Sequence, residues 1–394
     1  MNFKESLTDF KLNYEETKSQ IKKAVKEKTI TSGSGGSSNI IILRPGYVIK
    51  IIPDKKNFLL KVKPNNDYLE TEIYKKLTDE YILKDKTPHI VGLYKKYILE
   101  DIKIALPHKC LTLDERIMLP AHKKDYLMDK LCEVKKSYEE FQIDKKAAIV
   151  ILENCPTSIH EQLANLLGRK IKFSEKVHNF NLFVKRVIFQ IIFTLGKIQL
   201  DYPNFIHNDL FLRNILAVNV TDYESIDYVE YSHLGKKYYL PANGIYTKIN
   251  DFGYSLNILA INSTVENDIK SSTPNNFEIK NQLRDVYTFL FDFYDGPGLG
   301  AQSVKTVISN MIKDTKQKNL LLGNFKKQIG MFFNYKIIDK IHSLDAGVLD
   351  WQWNISDSKI LMGTIKKPNE YFKTKCFDNL MVLPDGCRVV KIYR

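Results

Sequence analysis

The chain has 394 residues, of which 44% are hydrophobic, 27% charged and 11% aromatic, a composition that excludes wholesale disorder and suits one large bilobal domain or two ordinary ones. Five scattered cysteines, Cys110, Cys132, Cys155, Cys376 and Cys387, form no CxxC pair and read as free thiols in a reducing compartment. The formal charge of +13 favours acidic partners such as nucleotides, nucleic acid or anionic lipid, although a surface merely solvated by lysine has the same charge.

Residues 1–30 carry Leu7, Phe10, Tyr14, Ile21 and Val25 at loosely helical spacing among charges, which predicts an amphipathic helical extension without the apolar core of a signal peptide. A Gly/Ser cluster then runs into β-branched residues, and a turn at Pro45 and Gly46 leads into Tyr47–Ile52. This predicts strand, glycine turn, strand, tight turn, strand. Asp67–Asp79 reads as helix and Pro88–Leu99 as a strand pair. The lysine-rich stretch 100–148 includes a predicted helix over Lys123–Phe141, and Ala147–Glu153 reads as a buried strand. From Asn181 to Leu200 apolar residues occupy more than one helical face, as in a helix buried within a lobe, and the remainder is mainly helical. No apolar run reaches membrane-spanning length, and the expected location is cytoplasmic.

Several residues have the chemistry for handling phosphate. Gly33, Ser34, Gly35, Gly36, Ser37 and Ser38, followed by Ile40, could let backbone N–H groups approach phosphates, or form only a flexible hairpin. Lys50 lies mid-strand, where an ammonium wants an anion, unless it reaches solvent from an edge. Glu70 is its preferred partner, because Ile73 and Leu77 then pack the same helix side inward; Glu72 is the runner-up. In the loop from Phe205 to Leu216, Asp209 could accept the hydrogen bond of an attacking hydroxyl while Asn214 offers an oxygen to Mg²⁺. An Asx-capped turn beside a core His207 is the plainer reading. The strand Thr247–Ile249 runs through Asn250 into Asp251-Phe252-Gly253, where Asp251 would be a hard oxygen ligand bridging metal and phosphates.

Glycine turn, strand lysine, helix glutamate, HxDxxxxN and DFG occur in the chain order of the protein-kinase signature set. The sequence resembles a divergent eukaryotic-type protein kinase, and in Tyr239–Tyr246 and Asn369–Met381 it resembles the serine/threonine kinases of large DNA viruses of the poxvirus and giant-virus type. The resemblance implies an α+β, bilobal, protein-kinase-like fold, with a β-rich N-lobe over 31–153 holding one main helix and the helical insertion near 100–148. A mainly α-helical C-lobe would then span 154–394, with a hairpin insertion near 218–247. It implies ATP and Mg²⁺ as cofactors, a protein substrate, and host cytoplasm or virion as location. It further implies Leu152 as gatekeeper, Glu153 and Cys155 as adenine-contacting hinge residues, and Asp285 as the helix aspartate bracing the catalytic loop, which could otherwise be an ordinary N-cap.

Four positions depart from the family pattern. Asn208 replaces the arginine that grips a phosphorylated activation loop, and Phe211 replaces a lysine. Arg213 then occupies the catalytic-loop position used by many tyrosine kinases. A long stretch separates Asp209 from Asp251, and no Ala-Pro-Glu follows Asp251. A small-molecule kinase of the aminoglycoside or choline type, and a pseudokinase scaffold binding nucleic acid or membrane, are the alternatives.

Overall fold

The computed structural model describes residues 3–27, 31–32, 40–53, 66–100, 146–259, 283–295, 303–332 and 365–394. In chain order these form helices α1 (Phe3–Asp9) and α2 (Tyr14–Glu27), then strands β1 (Thr31–Ser32), β2 (Ile40–Arg44) and β3 (Tyr47–Pro53). Helix α3 (Asn66–Leu77) follows, then β4 (Leu93–Glu100), β5 (Lys146–Glu153), β6 (Thr157–Ser158), α4 (Ile159–Gly168) and α5 (Phe173–Asp201). After these come β7 (Ile215–Val220), β8 (Asp227–His233), β9 (Lys236–Pro241), β10 (Gly244–Ile249), α6 (Leu283–Asp295), α7 (Val304–Met311), α8 (Thr315–Ile329), α9 (Pro368–Tyr371) and β11 (Arg388–Tyr393). The fold is α+β. The helix predicted over Lys123–Phe141 and the cluster Gly33–Ser38 lie outside the described residues.

Two compact units divide the chain. One comprises Asp9–Asp67 with Tyr94–Asn154; the other comprises Met1–Thr8, Tyr68–Leu93 and Cys155–Arg394. In the smaller unit a five-stranded sheet runs in the order β1-β2-β3-β5-β4. Antiparallel pairing sets Lys50 opposite Ile41 on one side and Val150 on the other, at the centre of the sheet. Because side chains alternate along a strand, Ile49 and Ile51 point away from Lys50. They join Ile42, Ile149 and Ile151 in a core roofed by Ile21 and Ala24 of α2, all fully buried. The amphipathic extension thus covers one face of the sheet and leaves Lys50 on the other. Its helix does not run unbroken: α1 ends at Asp9, and Asn13 caps α2, accepting the Glu16 N–H at 2.9 Å while the Glu16 carboxylate takes the Asn13 N–H at 2.9 Å.

In the larger unit α5 is the central rod. Its residues Phe183–Gln199 are almost all buried, Lys185 excepted, which explains apolar residues on several faces. Phe189 and Phe193 meet Tyr231 of β8 and Phe372 of the carboxy-terminal segment, with ring centroids 5.1 to 6.4 Å apart. The long stretch between Asp209 and Asp251 forms β7 to β10. Strands β8 and β9 pair as a hairpin across Leu234 and Gly235, both at positive φ as a tight turn requires. One face of this hairpin packs into the core, since Tyr231 and Tyr238 are each 1% exposed. Strand β11 adds parallel to β8. The predicted strand pair in Pro88–Leu99 resolves into β4 and a single bridge from Ile90 to Ile249, because Ile90 finds its partner on β10 instead of on a neighbouring strand of its own.

Candidate active site

Register brings the two chemical segments together. Strands β7 and β10 pair antiparallel with Ile215 opposite Ile249, so the residues just outside the ladder, Asn214 and Asn250, are neighbours, and the Asn250 N–H donates to the Asn214 carbonyl at 2.9 Å. Residues far apart in the chain therefore flank one point. On one side is the turn Leu212–Asn214; on the other is Asp251.

Both oxygens of Asp209 are held. Arg213 Nη2 donates to Oδ1 at 2.6 Å and Asn214 Nδ2 donates to Oδ2 at 2.7 Å, with a second bond from Asn214 Nδ2 to the Asp209 carbonyl at 2.7 Å. Charge-assisted bonds of this kind restrict the carboxylate to one rotamer. The Arg213 guanidinium also lies 4.6 Å from the ring of Phe211, the residue standing where lysine is usual, so the aromatic side chain steadies the arginine.

His207 is buried and pinned through both ring nitrogens: Nε2 lies 3.0 Å from the Asn250 carbonyl, and the Asp209 N–H donates to Nδ1 at 3.4 Å. Those partners assign the proton to Nε2. Asp285 lies on α6, fully buried, and accepts the N–H of His207 at 2.6 Å and of Asn208 at 2.9 Å. Burial pushes its carboxyl above the ordinary range, an effect the two N–H donors and the neighbouring His207 oppose. Asn208 takes φ +69°, in the left-handed region that asparagine tolerates better than most residues.

Asp251 also has left-handed backbone, φ +62° and ψ +69°. Its N–H donates to the hydroxyl of Tyr74 at 2.9 Å, and that hydroxyl donates to Asn250 Oδ1 at 2.6 Å. Phe252, fully buried, lies between Tyr74 and His207, at 5.2 and 5.0 Å between ring centroids. On the same helix as Tyr74, Glu70 is 3% exposed and Glu72 is exposed. A Cβ placed on Gly253 would lie 3.6 Å from Glu70 Oε2 and 3.8 Å from Asp251 Oδ1, so both carboxylates face that glycine.

Lys50 is 7% exposed and belongs to the smaller unit. Leu152 is buried on β5, Glu153 pairs in register with Tyr47, and the division between the units falls between Asn154 and Cys155, which is 7% exposed. Ile40 opens β2 opposite Ile51, and β1 pairs antiparallel with β2 on either side of Gly33, Ser34, Gly35, Gly36 and Ser38, which lie outside the described residues. Two residues of this site, Tyr74 and Asp292, whose Oδ2 accepts the Leu212 N–H at 2.7 Å, were not singled out from sequence. Each had a signal: Tyr74 stands one helical turn past Glu70, and Asp292 two turns past Asp285.

The donor set fits Mg²⁺. Asn214 uses its amide nitrogen on Asp209, which leaves the carboxamide oxygen for a cation, and with the Asp251 carboxylate it offers hard oxygen ligands of the kind magnesium takes alongside phosphate oxygens. Magnesium, when bound, would neutralise charge developing on a transferred phosphoryl group. The chain's own contribution is the Asp209 carboxylate, held by Arg213 and Asn214 beside that donor set.

No family model matches the chain. A "putative serine/threonine-protein kinase" of Acanthamoeba polyphaga mimivirus is 34% identical over 384 residues, covering 92% of this chain and 92% of that protein. The chain belongs to the protein kinase superfamily. Among solved structures, WaaP in complex with acyl carrier protein covers 86% of this kinase and 91% of its own chain at 11% identity and a TM-score of 0.31, a likeness too slight to bear on the fold. Among the described residues no helix of the kinase is long and apolar enough to cross a membrane.

Proposed function

We propose that this kinase transfers the terminal phosphate of ATP, in the presence of Mg²⁺, to serine or threonine hydroxyls of protein substrates. The observation that carries the reading is Asp209, whose two oxygens are held at 2.6 and 2.7 Å by Arg213 and Asn214. A carboxylate so oriented accepts the hydrogen bond of an incoming hydroxyl and aims its oxygen at the phosphoryl group. In this reading Asn214 and Asp251 hold magnesium, Lys50 anchors nucleotide phosphates with Glu70 as its counter-ion, and the Gly33–Ser38 segment cradles them with Ile40. Leu152, Glu153 and Cys155 receive the adenine. The serine/threonine preference follows the mimivirus relative's name, and a viral source with action in host cytoplasm or virion belongs to the same proposal.

An acidic partner or nucleic acid at the basic surface has only the charge of +13 in its favour. A scaffold without catalysis is disfavoured because every charged anchor is present and Asp209 is already held. The test is autophosphorylation with radiolabelled ATP and phosphosite mapping. Label on serine or threonine, dependent on Mg²⁺ and lost in Lys50→Met, Asp209→Asn and Asp251→Asn, supports the reading. Label that persists in Asp209→Asn overturns it.

A further inference from the structure

Helix α6 carries a second buried carboxylate with no part in the reading above. Asp292 is 4% exposed, and its Oδ2 accepts the N–H of Leu212 at 2.7 Å. It stands two helical turns beyond Asp285 and therefore on the same face of the helix. The helix thus presents two carboxylates in a row to the back of one loop. Asp285 takes the N–H groups of His207 and Asn208 where the loop begins; Asp292 takes that of Leu212 where the turn Leu212–Asn214 begins.

This is an expensive residue to place there. Asp292 shares with the buried Phe289 and Phe293 a helix that could have used an apolar side chain there, and burial disfavours its charged form. The charges nearest to it are Arg213, which favours the ionised carboxylate, and Asp209, which disfavours it. A costly group kept beside reacting residues, with its one hydrogen bond spent on their backbone, is better explained by geometry at the site than by packing.

We infer that Asp292 is a positioning residue for phosphoryl transfer. By anchoring Leu212 it fixes the turn from which Arg213 reaches Asp209 Oδ1 and Asn214 reaches Asp209 Oδ2, and so sets the rotamer of the carboxylate that meets the acceptor hydroxyl. The inference rests on the assignment of Asp209 as that carboxylate.

The experiment measures ATP turnover by the full chain, as phosphate release plus label incorporated, together with the melting temperature, for wild type, Asp209→Asn, Asp292→Asn and Asp292→Leu. Asp292→Asn keeps the shape and an acceptor oxygen but drops the charge. It is expected to lower kcat about 10-fold, leave KM for ATP within roughly twofold, and raise the melting temperature; Asp292→Leu, which orphans the Leu212 N–H, is expected to lower kcat about 100-fold. A merely structural role lowers stability and turnover together in Asp292→Asn, so that pattern in this variant overturns the inference, as does an unchanged kcat in Asp292→Leu. Should Asp209→Asn turn over ATP normally, the reading of the site fails and this inference with it; should Asp209→Asn be inactive and both Asp292 variants normal, only the inference fails.

Discussion

The hydroxyl of Tyr74 accepts the backbone N–H of Asp251, at 2.9 Å, from a position 177 residues earlier in the chain. The same hydroxyl donates to Asn250 Oδ1, and its ring packs edge-on to Phe252. One side chain therefore holds three consecutive residues of the Asp-Phe-Gly approach, at the point where Asp251 takes a left-handed conformation. Burial raises the Tyr74 pKa well above its ordinary value, so the hydroxyl keeps its proton throughout the working range.

Tyr74→Phe keeps the ring and removes both bonds. It is expected to destabilise the protein by about 1–3 kcal/mol, because the Asp251 N–H is left without its partner, and to raise KM for Mg-ATP more than it lowers kcat. Denaturant unfolding and steady-state kinetics on the one variant test both parts.

Asp285→Ala leaves the N–H groups of His207 and Asn208 without their acceptor in a buried setting. A loss of about 2–5 kcal/mol is expected, with turnover falling at least 10-fold in whatever fraction stays folded. Asp285→Asn has one acceptor oxygen for two donors and should fall between Ala and wild type. Thermal melts and specific activity per folded molecule provide the comparison.

Stability should depend on pH through Asp292. Its ordinary pKa is 3.8, and burial raises it to about 6 in the folded chain, the Leu212 N–H and Arg213 opposing the shift. The folded state then binds the proton more tightly than the unfolded one, so this group's contribution to stability declines as pH rises from about 4 to 6, by roughly 3 kcal/mol in all. Asp292→Asn cannot titrate. Its melting temperature should exceed that of wild type at pH 8 and the difference should vanish near pH 4; a constant difference across that range would contradict the assignment.

Gly244 has φ +114°, and a Cβ there would lie 1.9 Å from Arg186 Nη1. Arg186 is 4% exposed and donates to the carbonyls of Asn243 and Pro241, at 2.6 and 2.9 Å, which ties β9 and β10 to α5. Gly244→Ala must both strain the backbone and displace the guanidinium. About 3 kcal/mol or more of destabilisation is expected, measured by urea unfolding, with KM for ATP unchanged in the folded fraction.

Asn208 stands where a phosphate-gripping arginine is usual, and its N–H is committed to Asp285. Phosphatase treatment is therefore expected to leave activity within about twofold, since the loop is held by α6 and needs no phosphate-arginine pair. Loss of most activity after treatment, with phosphosites mapped between Asp251 and Asp285, would refute this.

Much of the site was legible in the sequence because its chemistry is written in short, contiguous strings. Asp209 and Asn214 lie within one loop and Asp251 and Gly253 within one turn, so residue type and local spacing single them out as candidates. The long buried helix α5 was visible for a similar reason: apolar residues on several faces can only be covered on several sides. Where a segment's partner lay far away the reading was incomplete. Pro88–Leu99 has the composition of two strands, yet Ile90 pairs with Ile249.

What the sequence determined by itself, then, was the set of groups able to handle a phosphate and the order in which they come. Tertiary structure alone decided which faces they share. Glu70 is buried against the Asp251 turn and Glu72 is exposed, Tyr74 holds Asp251, Asp285 and Asp292 brace the loop from behind, and α2 roofs the sheet on the side away from Lys50. Each of these depends on strand register and on hydrogen bonds between residues distant in the chain, and such pairings are selected by the burial of the whole unit, which no local periodicity encodes.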